Sequence, residues 1–315
     1  MKIISQEQIK GLNISPATCV EWVKESFSLK ETAQLPAKIS LHPQGNDFFN
    51  TMPCLLPSPY NYYGVKVVHR IKGATPALGS DLLLYNSQTG ELLAMLDADW
   101  ITTMRTGAVA TLAMQTFRKS NAKTYGFLGL GNTGRATMLC LLESEPDVMH
   151  HVILMRYKNQ AELFMERFKE YPNVSFCICD NINELVSQSD VIVSCITEAQ
   201  GLLCEDNNLY KEGCLVVPVH TRGFQNCDLF FDKVYADDTA HVCGFKYFDR
   251  FKQFGEIQDV ISNKIKGRES DKDRILSYNI GLGLHDIVYA SKIYEVLKEQ
   301  SYNIRIVRET EKFWI

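Results

Sequence analysis

From Lys123 onward the chain alternates between two hydrophobic periods, and this alternation constrains the fold more than any other feature. TYGFLGL, HVILM, VSFCICD and DVIVSCIT are short apolar runs of strand character. The segments between them, through ATMLCLLES, NQAELFMERFKEY and NINELVSQS, carry helical spacing. Such a succession builds a doubly wound α/β fold, because parallel strands need a long crossover and the crossover helices cover both sheet faces. GCLVVPV and KVYADD add further strands.

The N-terminal third reads differently. Residues 1–30 suggest an opening helix, with Pro16 early and Val20, Val23 and Phe27 at helical spacing. YYGVKVVHRIKG alternates, with Tyr63, Val65, Val67, His69 and Ile71 on one face and Lys66, Arg70 and Lys72 on the other, which predicts that Lys66 faces solvent. LLLYNSQTGELLAML is a hairpin that turns at Asn86 to Gly90. In DADWITTMRTGAVATLAM, Asp99 has the look of an N-cap for a helix through Ile101, Met104, Ala108, Val109 and Leu112. Arg105 sits in the second turn of that helix. Its helical neighbours three and four positions away are Ile101, Thr102, Ala108 and Val109, so no local carboxylate answers it.

Composition excludes several classes. A chain of 315 residues, 45% hydrophobic and 22% charged, has room for two domains. Its net charge of −4 gives no footing for nucleic acid or an acidic membrane. No apolar run reaches membrane-span length, and MKIISQEQIKGL lacks the apolar core of a secretion signal, so a cytoplasmic protein is expected. Ten cysteines, several of them in apolar strands such as VSFCICD, read as buried reduced thiols. There is no CxxC, HExxH or close His/Cys cluster, so no metal site is expected.

GLGNTG at 129–134 follows an apolar strand and opens a helix, the context in which GxGxxG receives a dinucleotide. Gly129 allows the tight turn, Gly131 lets the backbone approach a pyrophosphate, and Gly134 permits close helix packing. Asn132 and Thr133, between the glycines, lie where the helix N-terminus offers free N–H groups to phosphates. At the end of the second strand, LMRYKN carries no acid for a ribose 2′-hydroxyl but holds Arg156 and Lys158, which suit a 2′-phosphate. Charge therefore favours NADP(H) over NAD(H), although an ordinary solvated turn would read the same. Thr197, after the fourth strand, is placed either near the pyrophosphate or nicotinamide or simply at a strand end. His220 follows the GCLVVPV strand, where substrate and nicotinamide should meet, as either a proton donor or a structural imidazole.

Several segments together resemble the ornithine cyclodeaminase/mu-crystallin family over nearly the whole chain. They are Met52–Pro53 followed by GVKVV, LYNSQTGELLAMLDADWITTMRTGAV with its TxxRT run, GLGNTG, the Gly267–Arg268 pair and NIGLGLHD. The resemblance implies a Rossmann domain over 119–289. It also implies a second α+β domain from both chain ends, 1–118 with 290–315, which forms a homodimer. It further implies NAD(P)-dependent chemistry at the α-carbon of a small amino or imino acid. Arg105 and Lys66 match the residues that hold the substrate carboxylate or flank its α-carbon, and Asp286 matches a fold-positioning acid. Lys38 stands where the family often has an arginine; it keeps the charge but not the planar fork. With Asp228–Leu229 set on the family's acidic–Leu pair, Arg222 stands where cyclodeaminases carry a catalytic aspartate. No other acid lies between Val219 and Cys227. Lys66, His220 and Arg222 are thus the candidate catalytic positions, with Arg222 also able to bind a second carboxylate. The expected reaction is amino-acid dehydrogenation or ketimine reduction. The alternatives are conversion of ornithine to proline plus ammonia, and a carrier that binds NADP or a small ligand without turnover.

Overall fold

The six expected strands and two more, Phe254–Glu256 and Ile275–Tyr278, pair side by side in the computed structural model, and every pairing among them is parallel. From one edge the order is Phe254–Glu256, Lys233–Ala236, Ile275–Tyr278, Leu215–Pro218, Val191–Ser194, Thr124–Leu128, His150–Met155 and Val174–Cys179. Four adjacent strands, from Val191, Leu215, Lys233 and Ile275, are buried at every position, as strands covered on both faces must be. Strand order reverses between Thr124–Leu128 and Val191–Ser194, and such a switch point opens a crevice at the carboxyl ends of the strands. The structure describes residues 1–220, 222–306 and 310–311; the remainder of the expected 290–315 segment lies outside them.

The chain forms two compact units. This parallel-sheet unit comprises Ile14–Ser28 and Thr103–Leu282. The other comprises Met1–Asn13, Leu29–Thr102 and the chain from Gly283. These boundaries differ from 118/119 and 289/290 because two helices belong with the parallel sheet. Pro16–Ser28 buries Cys19, Val20, Val23 and Phe27 and packs on Asn132–Ser144. In the helix Asp99–Phe117, a Cβ on Gly107 would lie 2.5 Å from the backbone of Ala136 and Thr137, so the two helices touch backbone to backbone.

The second unit is a seven-stranded sheet ordered Tyr302–Asn303, Lys2–Ile4, Leu92–Asp97, Leu78–Asn86, Tyr62–Arg70, Phe48–Leu55 and Ile39–Leu41. All its pairings are antiparallel except Lys2–Ile4 with Leu92–Asp97. The hairpin turns where expected: Asn86 Oδ1 accepts from the N–H groups of Gln88 and Thr89, and Gly90 takes a positive φ of 73°. The helix Gly283–Leu297 packs on Phe48–Leu55, Tyr62–Arg70 and Leu78–Asn86.

Four local expectations are corrected. The opening helix is divided: Lys2–Ile4 is a strand, Gln6–Gly11 is a short helix closed by a Ser5/Gln8 capping box, and the long helix starts at Pro16. Asp99 lies inside its helix rather than capping it. Its carboxylate accepts from Ser80 N at 2.6 Å, while Asp97 Oδ1 accepts from the Asp99 N–H. The faces of Tyr62–Arg70 are reversed. Gly64, Lys66 and Val68 are buried and Tyr63 is exposed, because Gly283–Leu297 covers the lysine face. None of the ten cysteines forms a disulfide; Cys177 on the edge strand and Cys243, however, are exposed rather than buried. No helix among the described residues is long and apolar enough to cross a membrane.

Candidate active site

In the parallel-sheet unit the glycine loop leaves Thr124–Leu128 at the switch point, and its three glycines have three different reasons to lack a side chain. Gly129 has φ 81°, and a Cβ there would come within 2.5 Å of the Cys195 carbonyl carbon. A Cβ on Gly134 would overlap the Gly129 carbonyl oxygen. Gly131 is the opposite case: a Cβ would meet nothing within 4 Å, so the space beside this backbone is open. Gly131 is the N-cap of Asn132–Ser144, and no side chain caps that helix. Asn132 is exposed and Thr133 half-buried in its first turn. Open space beside Gly131, together with an uncapped helix N-terminus, fits a dinucleotide pyrophosphate.

The turn after His150–Met155 holds Arg156 and Lys158 as expected, but Arg156 is not alone. Its Nε donates to Asp180 at 2.6 Å and its Nη1 to Glu162. The two carboxylates leave the Nη2 edge as the remaining donor side of the fork. Lys158 adopts φ 53° and lies over the Tyr157 ring. Thr197 is exposed three residues beyond the end of Val191–Ser194, in the loop rather than on the strand.

His220 has both ring nitrogens engaged. Ser194 Oγ lies 2.6 Å from Nε2, and the Arg222 N–H donates to Nδ1 at 3.2 Å. With Nδ1 accepting, the ring proton belongs on Nε2. Burial pushes the imidazole down to about 4, against a raising contribution from the Arg222 N–H, so the ring is neutral at pH 7. That geometry makes it an anchor for the loop after Leu215–Pro218 and a poor proton donor. The anchored loop presents Arg222, whose side chain is exposed.

Arg222 lines a cavity of about 570 Å³ with Gln200, Gln225, Asp228, Lys246 and Tyr247. Sequence reasoning did not find this cavity, because its walls come from three loops distant in the chain. Asp228 is buried and accepts from the Tyr278 hydroxyl at 2.8 Å. Burial raises its carboxyl to about 6, although the tyrosine bond pulls the other way.

Arg105 is 5% exposed, on the helix Asp99–Phe117. Its guanidinium lies against Gly281, where any Cβ would overlap it and where φ is 95°. The Gly281 N–H donates to the buried Asp237 carboxylate. The first glycine of NIGLGLHD, Gly281, is therefore what lets the backbone accept the arginine. Arg268, from the Gly267–Arg268 pair, is structural: it donates to the carbonyls of Phe117, Gly213, Ser270 and Asp273.

In the other unit Lys66 and Asp286 are both fully buried, with Nζ and Oδ1 2.6 Å apart. The strand carries the lysine, and the first turn of Gly283–Leu297 carries the acid, where the helix dipole also favours it. Lys38 is half-buried immediately before the edge strand Ile39–Leu41. No cluster of three His, Cys, Asp or Glu side chains among the described residues could hold a metal ion.

These arrangements can be set beside known proteins. A Δ1-pyrroline-2-carboxylate reductase of Colwellia psychrerythraea is 25% identical over 324 residues, covering 95% of this chain and all of the relative. The Thermococcus litoralis Δ1-pyrroline-2-carboxylate reductase, solved with NADH and L-proline, superposes with a TM-score of 0.85 at 21% identity, covering 96% of this chain and 100% of that one. An archaeal alanine dehydrogenase dimer with bound NAD gives 0.83 at 23% identity, covering 98% and 99%. The sequence model of the ornithine cyclodeaminase/mu-crystallin family matches residues 2–301. The chain belongs to the ornithine cyclodeaminase/mu-crystallin family.

Proposed function

We propose that this protein transfers hydride between a nicotinamide dinucleotide and the α-carbon of a small amino or imino acid, as an imine reductase or amino-acid dehydrogenase. The observation that carries this reading is the open backbone at Gly131, ahead of an uncapped helix at the sheet's switch point. Gly129, Gly131, Asn132, Thr133 and Gly134 hold the pyrophosphate, and Thr197 lies in the loop that approaches from the neighbouring strand. When bound, the nicotinamide supplies or accepts the hydride. Arg105 binds the substrate α-carboxylate through its fork, which fixes the α-carbon for transfer. In the other unit Lys66 and Lys38 are the candidate cations for a substrate anion, Lys66 being fully buried against Asp286. His220 orients the Arg222 loop. A protonated imine brings its own proton, so reduction does not require an acid from the chain.

Two finer readings accompany this one. Arg156, held by Asp180 and Glu162, and Lys158 are the candidate cations for a 2′-phosphate, and their charge favours NADP(H). The protein also acts as a homodimer through the uncovered face of its seven-stranded sheet. Strand register puts Ile39, Leu41, Phe49, Tyr63 and Met95 on that one face, all of them exposed, and an apolar patch of this kind marks an interface. The alanine dehydrogenase relative is itself a dimer. Ten cysteines without a disulfide suit the reducing cytoplasm.

Fluorescence titration with NADPH and NADH, followed by a panel of cyclic imines and of 2-oxo acids with amines, tests the reading. Oxidation is expected only with compounds that bear an α-carboxylate. Arg105→Lys should cost about 100-fold in kcat/KM, the loss of a bidentate charged pair. Tight coenzyme binding with no oxidation in any well would make the protein a carrier.

A further inference from the structure

The cavity beside Arg222 is formed by loops that leave Val191–Ser194, Leu215–Pro218 and Lys233–Ala236 at the carboxyl end of the parallel sheet, the end at which such sheets bind ligands. At about 570 Å³ it lies within the range of small-molecule pockets. Two cations and one acid line it. Arg222 and Lys246 are exposed, and neither pairs with a carboxylate among the described residues. Lys246 rests 4.9 Å from the centre of the Tyr247 ring. The acid, Asp228, is turned to Tyr278.

The arginine is also held in place. Its own N–H is bound to His220, the next residue, Gly223, donates to Gln225 at 2.8 Å, and Gly223 takes φ 96°. A loop fixed by its backbone that carries a guanidinium without a carboxylate partner, facing a cavity with a second cation, is suited to an anion brought by the ligand. The coenzyme phosphates already have their own place at Gly131.

We propose that this cavity is a distal subsite for a second carboxylate, so that the preferred substrates are dicarboxylic imino or amino acids. The inference rests on the hydride-transfer reading above and names its substrate class. The distal carboxylate forms and breaks no bond. In the reductive direction the C=N carbon gains a hydride as the reduced coenzyme becomes NAD(P)⁺, and the nitrogen carries the proton.

The test compares two 2-oxo acids of equal chain length, 2-oxoglutarate and 2-oxopentanoate, each supplied with methylamine so that the imine forms in solution. The diacid imine should be preferred by at least about tenfold in kcat/KM, through KM. Arg222→Gln and Lys246→Gln should each bring that ratio toward one. A ratio near one in the unaltered enzyme, or one that survives both substitutions, overturns the subsite. Calorimetric titration of the coenzyme-saturated protein with the same two acids reads the subsite without turnover. Tighter binding of 2-oxoglutarate that Arg222→Gln abolishes supports the subsite even if no imine is reduced, in which case only the hydride-transfer reading falls. Equal affinities overturn the subsite whether or not the enzyme turns over.

Discussion

Replacing Lys66 by methionine keeps the unbranched chain as far as Cε and removes the ammonium. Asp286, fully buried 2.6 Å from that ammonium, would then hold a carboxylate in a site with no access to water. Breaking a buried pair on one side costs about 3–5 kcal/mol, because the remaining charge keeps its desolvation penalty and loses its compensation. Asp286→Asn strands the ammonium instead and should cost a similar amount. The combination Lys66→Met with Asp286→Asn leaves neither charge, so it should be less destabilised than Lys66→Met alone. Urea unfolding of all four proteins at pH 7 gives the cycle directly. Losses that simply add, to within about 0.5 kcal/mol, would refute the argument that the two charges stabilise one another.

Gly131→Ala should fold with an unchanged melting temperature and bind coenzyme at least about tenfold more weakly, because its methyl enters the open space where the proposed pyrophosphate would lie. Gly134→Ala should lower the melting temperature itself, since its methyl overlaps the Gly129 carbonyl; the opposite pattern would refute the assignment. The Asp228 carboxyl is raised to about 6 in the fold, so its protonated form stabilises the native state at low pH and that stability drains away as pH climbs from about 4 through 6. By pH 8 the penalty is about 3 kcal/mol, and Asp228→Asn, which can still accept from Tyr278, should raise the melting temperature at pH 8 but not at pH 4. A difference independent of pH would exclude this account. For His220, lowered to about 4, NMR titration should find a neutral ring with its proton on Nε2 throughout pH 5–8. The neutral ring stabilises the fold fully above about 6.5 and progressively less as pH falls toward 4. A midpoint near 6.5 would remove His220 from its anchoring role.

Features governed by short-range pattern were legible in the sequence. The strand–helix alternation, the Asn86–Gly90 hairpin and the GLGNTG turn depend on neighbours a few residues apart, and the structure follows them. Expectations failed where a distant partner overruled the local period. Lys66 looks solvent-facing beside Arg70 and Lys72, yet its counter-ion lies 220 residues away on the helix that covers its face. The first residues look helical until Lys2–Ile4 pairs with Leu92–Asp97 and Tyr302–Asn303. Arg105 was recognisable as an arginine without a local acid, but the role of Gly281 beside it depends on a turn 176 positions later and on the shape of its backbone. Lys246 gave no signal, since nothing in its own segment shows that it shares a cavity with Arg222.

The long reach between Lys66 and Asp286 also sets an order of events during synthesis. The parallel sheet and its helices are encoded without interruption from Thr103 to Leu282 and can assemble as that stretch emerges, with Ile14–Ser28 already made. The antiparallel sheet emerges first but lacks the helix Gly283–Leu297 that covers one face and neutralises its buried lysine. Its early strands wait, with an apolar surface and a charge uncovered, until Gly283–Leu297 has been translated. Premature termination near residue 280 would therefore yield a protein whose parallel-sheet unit is nearly complete and whose other unit is exposed to proteases and chaperones, which makes Gly283–Leu297 the helix that commits that unit to its native state.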